Sequence, residues 1–135
     1  MIQNNKKMKY TSLILKIILA LPLLIFGLNK LFPEPFINMP PPQGEIAQLY
    51  MTALFSSYLA KTVAIIEVIG AILLFSKRTE LLGLLLLLPI TVNAFAFHLF
   101  HDLQGILPAL IVFLLNVTLL ILNRKQLSIL ITPKQ

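Results

Sequence analysis

Five polar residues stand inside apolar sequence or at its margins, at spacings that could do chemistry: Lys30, Lys61, Glu67, Asn93 and His98. Glu67 is the sharpest of them. It interrupts the apolar stretch Leu59 to Phe75, and a carboxylate at membrane depth costs roughly 2.5–3.5 kcal/mol on insertion scales, so it calls for a partner or a task. It shares a stripe with Ala60, Ala64 and Ala71, spaced i, i+4, i+7, i+11, which is one helical face. Small residues let membrane helices pack closely, so this face meets other helices and the acid points inward. An acid, an ammonium, an amide and an imidazole in one apolar region would suit protons and hydrogen bonds delivered to the carbonyl oxygens of an apolar ligand.

Each residue also has a plainer reading. Lys30 and Lys61 can snorkel to headgroups, Glu67 can serve only as a structural hydrogen-bonding residue, and Asn93 can be interhelical glue at ~0.6 kcal/mol. Asn116, at heptad spacing with Ala109 and Asn123, reads as packing glue. His98, His101 and Asp102 could hold a metal in principle, but two interfacial histidines explain them as well, and no metal site is expected.

The elements that must position these residues follow from composition. The chain has 135 residues, of which 58% are hydrophobic and 12% charged. A soluble domain carries about 25% charged residues, so this is membrane composition in a single domain, 1–135. The net charge of +6 does not indicate nucleic acid, because the basic residues flank apolar segments instead of forming a stripe. The chain has no cysteine, which removes disulfides, thiolate catalysis and Cys metal sites. Lys6, Lys7 and Lys9 before the first apolar run resemble the start of a signal peptide. The run continues to Phe32 without a small-residue cleavage site, so it reads as a retained helix.

Four segments meet the length of ~20 apolar residues needed to cross a ~30 Å core: about 12–31, 59–75, 81–100 and 106–122, the second being short, with its Tyr58–Lys61 end at headgroup level. Lys16 lies near the start of the first, where it can snorkel. The link from Phe32 to Tyr58 contains Pro33-Glu34-Pro35 and the stiff Pro40-Pro41-Pro42. Its second half has helical spacing in Ile46, Leu49, Tyr50, Ala53 and Leu54, predicting a short amphipathic helix over 45–57. Of the 11 Lys and Arg residues, only Lys30 and Lys61 fall on the side of this link. The positive-inside rule then puts both termini in the cytoplasm and the link outside. The expected fold is all-α, an integral membrane four-helix bundle.

Depth follows from the ~1.5 Å rise per residue. Glu67 lies six residues, roughly 9 Å, below Lys61, and Asn93 lies five residues, roughly 7–8 Å, below His98. Glu67 and Asn93 thus share a depth, with Lys30, Lys61 and His98 above them, and the five are expected to converge beneath the proline-rich link.

The same residues resemble the DoxX family of small four-helix bacterial membrane proteins. The likeness lies in Phe26-Gly27-Leu28-Asn29-Lys30-Leu31, the proline-rich outer link, Lys61 with Glu67 and Gly70, and Leu88-Pro89-Ile90-Thr91-Val92-Asn93 running to Phe97-His98. It covers about Leu15 to Leu122. The resemblance implies a multi-pass protein of the bacterial cytoplasmic membrane and, from some relatives, a quinone- or thiol-linked redox subunit beside a membrane or periplasmic oxidoreductase. With no cysteine here, thiol chemistry would fall to that partner. Two other readings stand beside it. One is a binder or transporter of a small apolar molecule. The other is an assembly partner using small-residue faces (Ala20 with Gly27, and the Ala60–Ala71 stripe).

Overall fold

The structure, a computed structural model, describes residues 2–131, and side chains for 8–129. Lys134, counted with the basic flank, lies outside the described residues. Among the described residues six α-helices follow one another: α1 (Ile2–Leu31), α2 (Glu45–Ser56), α3 (Leu59–Leu73), α4 (Glu80–His101), α5 (Ile106–Leu122) and α6 (Arg124–Ile131). A 3-10 turn, Leu103–Gly105, joins α4 to α5. No strand occurs among the described residues.

Four helices enclose one core. α1 packs on α3, α3 on α4, α4 on α5, and α5 returns to α1. The core is leucine and alanine: Leu19, Ala20 and Leu23 of α1, Ala71 of α3 with Leu74 beyond it, Leu84 and Leu87 of α4, and Leu119 and Leu120 of α5. The opposite faces remain apolar and exposed, as in Ile14, Ile17 and Leu21, Ile65, Ile69 and Ile72, and Leu107, Ile111 and Leu114. In water such contiguous apolar surface would be an association liability.

Three helical stretches are long and apolar enough to cross a membrane: Met8–Leu31, Glu80–His101 and Leu103–Leu122. The expected span 59–75 corresponds to α3, which does not reach spanning length by itself. α3 has 15 residues, about 22 Å at 1.5 Å per residue, which falls short of a ~30 Å core. It reaches spanning length only together with α2, from which it is bent by 79°. α3 ends early because the chain tightens. The Ser76 amide donates to Leu73 O (3.4 Å) and the Thr79 hydroxyl to the same carbonyl (3.0 Å).

The expected amphipathic helix is α2, but its inward face differs. Ile46, Leu49 and Tyr50 are exposed; the inward positions are Ala47, Met51 and Leu54, at i, i+4, i+7. α6 was not expected, and α1 begins ten residues before the predicted span. Pro22 and Pro89 lie within α1 and α4, which run through them.

Glycines set the closest approaches. A Cβ at Gly83 would fall 2.7 Å from the Gly70 carbonyl oxygen, and one at Gly27 would fall 3.1 Å from Ala64 O. α3 therefore lies backbone against backbone with α4 at one point and with α1 at another. Gly44, at φ 98°, turns the proline-rich link into α2.

Candidate functional site

The hydrogen bonds of the five predicted residues sort them into separate groups instead of one network. Glu67 is buried and faces α1. The Lys30 ammonium donates to both of its carboxylate oxygens, at 2.7 and 2.6 Å. Both side chains are nearly closed off, at 13% and 7% accessible. Local sequence explains the pairing. Gly27 lets α3 approach until its own Cα region touches Ala64 and Glu67, and Lys30, three residues on, lies over the acid. The carboxylate is fully engaged, so the pair acts as a strut between α1 and α3. The Ala60, Ala64, Ala71 stripe is buried in the same contact, and Ala20 is buried too. These small faces are consumed within the chain.

Lys61 is exposed, and no hydrogen bond or ion pair reaches its side chain among the described residues. Asn93 is exposed as well, on the far side of α4. It follows Thr91 by two residues, about 200° around the helix, and Thr91 is the one in the core. Its partner comes from α2, where the Tyr50 hydroxyl donates to Asn93 Oδ1 at 2.7 Å. The Tyr50 ring stacks on Phe97 with centroids 4.8 Å apart. Tyr50, Asn93, Ala96, Phe97, Phe100 and His101 line a half-open concavity of about 190 Å³. Tyr50 and His101, which complete it, were not among the predicted site residues. Tyr50 had been assigned to the amphipathic helix, and only its OH reaching Asn93 reveals a second role.

His98 fastens the C-terminal end of α4. Its Nδ1 lies 3.1 Å from Asp102 O and 3.2 Å from Asp102 Oδ2. The Gln43 amide donates to Asp102 Oδ1 at 3.3 Å, tying the proline-rich link to the end of α4. Gly105 leaves room for the His98 ring. His101 turns instead toward Phe97, at 6.3 Å. Among the described residues no group of three metal-ligating side chains forms. Asn29 pins the same link: its Nδ2 donates to Ile37 O at 3.0 Å and the Ile37 amide donates to its Oδ1 at 2.8 Å.

A second buried ion pair, absent from the sequence reading, closes the opposite end. Lys16 does not snorkel; it pairs with Glu80, the first residue of α4. Asn123 Nδ2 donates to Glu80 Oε1 at 2.9 Å, bringing in the end of α5. Its signal was the spacing of Lys16 and Lys30, 14 residues apart and so within about 40° on one face of α1. Between the two ends lies Asn116, fully buried, with neither Nδ2 nor Oδ1 hydrogen-bonded. Expected as packing glue, it is packed into the core without a hydrogen bond; the interhelical amide bond is made by Asn123.

Against protein-family models, curated proteins and solved structures, the chain finds no match.

Proposed function

We propose that this chain is a four-helix bundle of the bacterial cytoplasmic membrane, with both termini cytoplasmic, that holds the ring of a quinone in its outer half. The apolar outward faces of α1, α3, α4 and α5 and the basic flanks support the membrane setting and its orientation. The observation that carries the ligand is the concavity between α2 and α4. At about 190 Å³ it is smaller than the ~300 Å³ at which drug-sized pockets begin, so it suits one ring. Phe100, in its lining, is exposed, as are Val92 and Leu99, which lie next to Asn93 and Phe100 along α4, and an isoprenoid tail can lie along these residues in lipid. The Asn93 Nδ2, without a protein acceptor among the described residues, and the His101 imidazole supply hydrogen bonds to ring oxygens; Phe97 and Tyr50 supply aromatic faces.

The Lys30–Glu67 pair serves this site as a strut and not as its proton donor. A redox role rests on the resemblance to DoxX proteins: the chain presents the quinone, and an oxidoreductase partner, which also carries any thiol chemistry, exchanges electrons with it.

The test is to purify the protein in detergent and quantify co-extracted quinone by mass spectrometry. The intact chain retains quinone; Asn93→Leu lowers it at least ~10-fold, the loss of about one good hydrogen bond to the ligand, and Tyr50→Leu lowers it as well, because it removes an aromatic face and the hydroxyl that orients the Asn93 amide. Undiminished quinone in both variants would end this reading. A different apolar molecule lost in both would leave the site and replace its ligand.

A further inference from the structure

We propose that the end of the bundle where Lys16, Glu80 and Asn123 meet is a docking face for anionic phospholipid headgroups, formed by Lys77, Arg78, Arg124 and Lys125 with α6 lying along the membrane surface. The inference rests on the membrane setting proposed above and not on the quinone site.

Geometry brings the four cations together. The Asn123–Glu80 hydrogen bond of 2.9 Å joins the end of α5 to the start of α4. Lys77 and Arg78 lie three and two residues before Glu80, and Arg124 and Lys125 follow Asn123 directly. Two basic pairs on separate elements therefore emerge side by side. All four side chains are exposed, and none has an ion-pair partner among the described residues.

Among the described residues no acidic side chain at this end is free to neutralise them. The sequence holds five carboxylate residues. Glu80 is buried and taken by Lys16. Glu67 is taken by Lys30, while Asp102 is bonded to His98 and the link at the other end. Glu34 and Glu45 belong to that same outer link. The buried Lys16–Glu80 pair thus takes up the acidic side chain nearest the basic turn.

α6 suits a lipid surface better than a nucleic acid. It packs against α5 and has eight residues, Arg-Lys-Gln-Leu-Ser-Ile-Leu-Ile. Ile129 is 72% exposed, and Ile121 and Leu122 at the end of α5 are also exposed. Cations beside unpartnered isoleucine and leucine match an interfacial helix, whose apolar side enters the acyl boundary while its charges meet phosphates. Two of the four cations are Arg, which can grip a phosphodiester with two parallel N–H donors.

The full-length protein in zwitterionic detergent, titrated with phosphatidylglycerol or phosphatidylcholine and read by native mass spectrometry, tests this. Phosphatidylglycerol adducts should exceed phosphatidylcholine adducts by ~10-fold or more, since each surface cation contributes roughly a fivefold gain. Lys77→Gln/Arg78→Gln/Arg124→Gln/Lys125→Gln abolishes the preference, and Lys61→Gln, at the opposite end, keeps it. The two basic pairs are also removed separately, each lowering the preference partway, so a poorly inserting quadruple variant does not decide the matter. Equal adducts for the two lipids, or a preference retained in the quadruple variant and both pairs, overturns the proposal. So does thermal stabilisation by inorganic phosphate equal to that by phosphatidylglycerol. Failure of the protein to fractionate with membranes would instead sink the membrane setting, and quinone retention by the variants reads the other site independently.

Discussion

Lys30 and Glu67 show how a costly charge becomes a structural element. Each is shielded, and each is tolerable because the other is within 2.7 Å. Removing one partner leaves an uncompensated charge, so Lys30→Met should cost about 3–5 kcal/mol, whereas Lys30→Met combined with Glu67→Leu should recover most of the loss. Thermal unfolding in detergent measures both; equal destabilisation by the single and double variants would mean that the residues are not coupled. Asn116 presents the reverse case. Its amide is sealed in the core without a partner, and an unmade hydrogen bond of a buried polar group costs roughly 1–3 kcal/mol. Asn116→Leu, close in volume, should therefore raise stability by about that amount, and a clear loss would show that the amide has a partner.

At the scale of elements, two contacts govern how the helices and the link are arranged. α3 and α4 touch through Gly70 and Gly83: a methyl added at Gly83 would meet the Gly70 backbone oxygen, and one added at Gly70 would meet the Leu87 side chain. Gly83→Ala should separate the two helices at a cost of about 1–3 kcal/mol, measured by the same melts; an unchanged melting temperature would refute the close approach. The proline-rich link is held by the reciprocal Asn29–Ile37 bonds and by Asp102. Asn29→Ala should free its first half, seen as faster proteolysis between residues 33 and 43 with α2 still protected through Tyr50. Unaltered cleavage would assign the link's order to its prolines alone.

At the scale of the molecule, the two ends differ in charge. The end bearing Lys77, Arg78, Arg124 and Lys125 has no exposed acid, and the other end combines Lys61 with Glu34 and Glu45. That asymmetry underlies the proposed orientation. Because the chain has no cysteine, single replacements label uniquely. Ser76→Cys should react with a membrane-impermeant maleimide only after the cytoplasmic side is opened, and Leu103→Cys should react in intact cells. Labelling of both from one side would dismantle the proposed topology and with it the proposed depth of the quinone site.

The length and apolarity of α1, α4 and α5, the extended link and the inward turn of the Glu67 stripe were legible in the sequence, because periodicity and hydropathy are local. So was the need of Glu67 for a partner, since burial of a carboxylate is costly wherever the helix lands. The choice among Lys30, Lys61, Asn93 and His98 was not. Residue spacing fixes depth along a helix, but which neighbour occupies each side depends on how four helices are rotated against one another. Gly27 and Gly83 decide that rotation through contacts between residues distant in the chain. Hence Asn93 faces Tyr50, on the side away from the core, and Lys16 finds Glu80 across 64 residues. Only the tertiary structure could assign those partners, because each lies on a different helix and the hydrogen bond forms after the helices have packed.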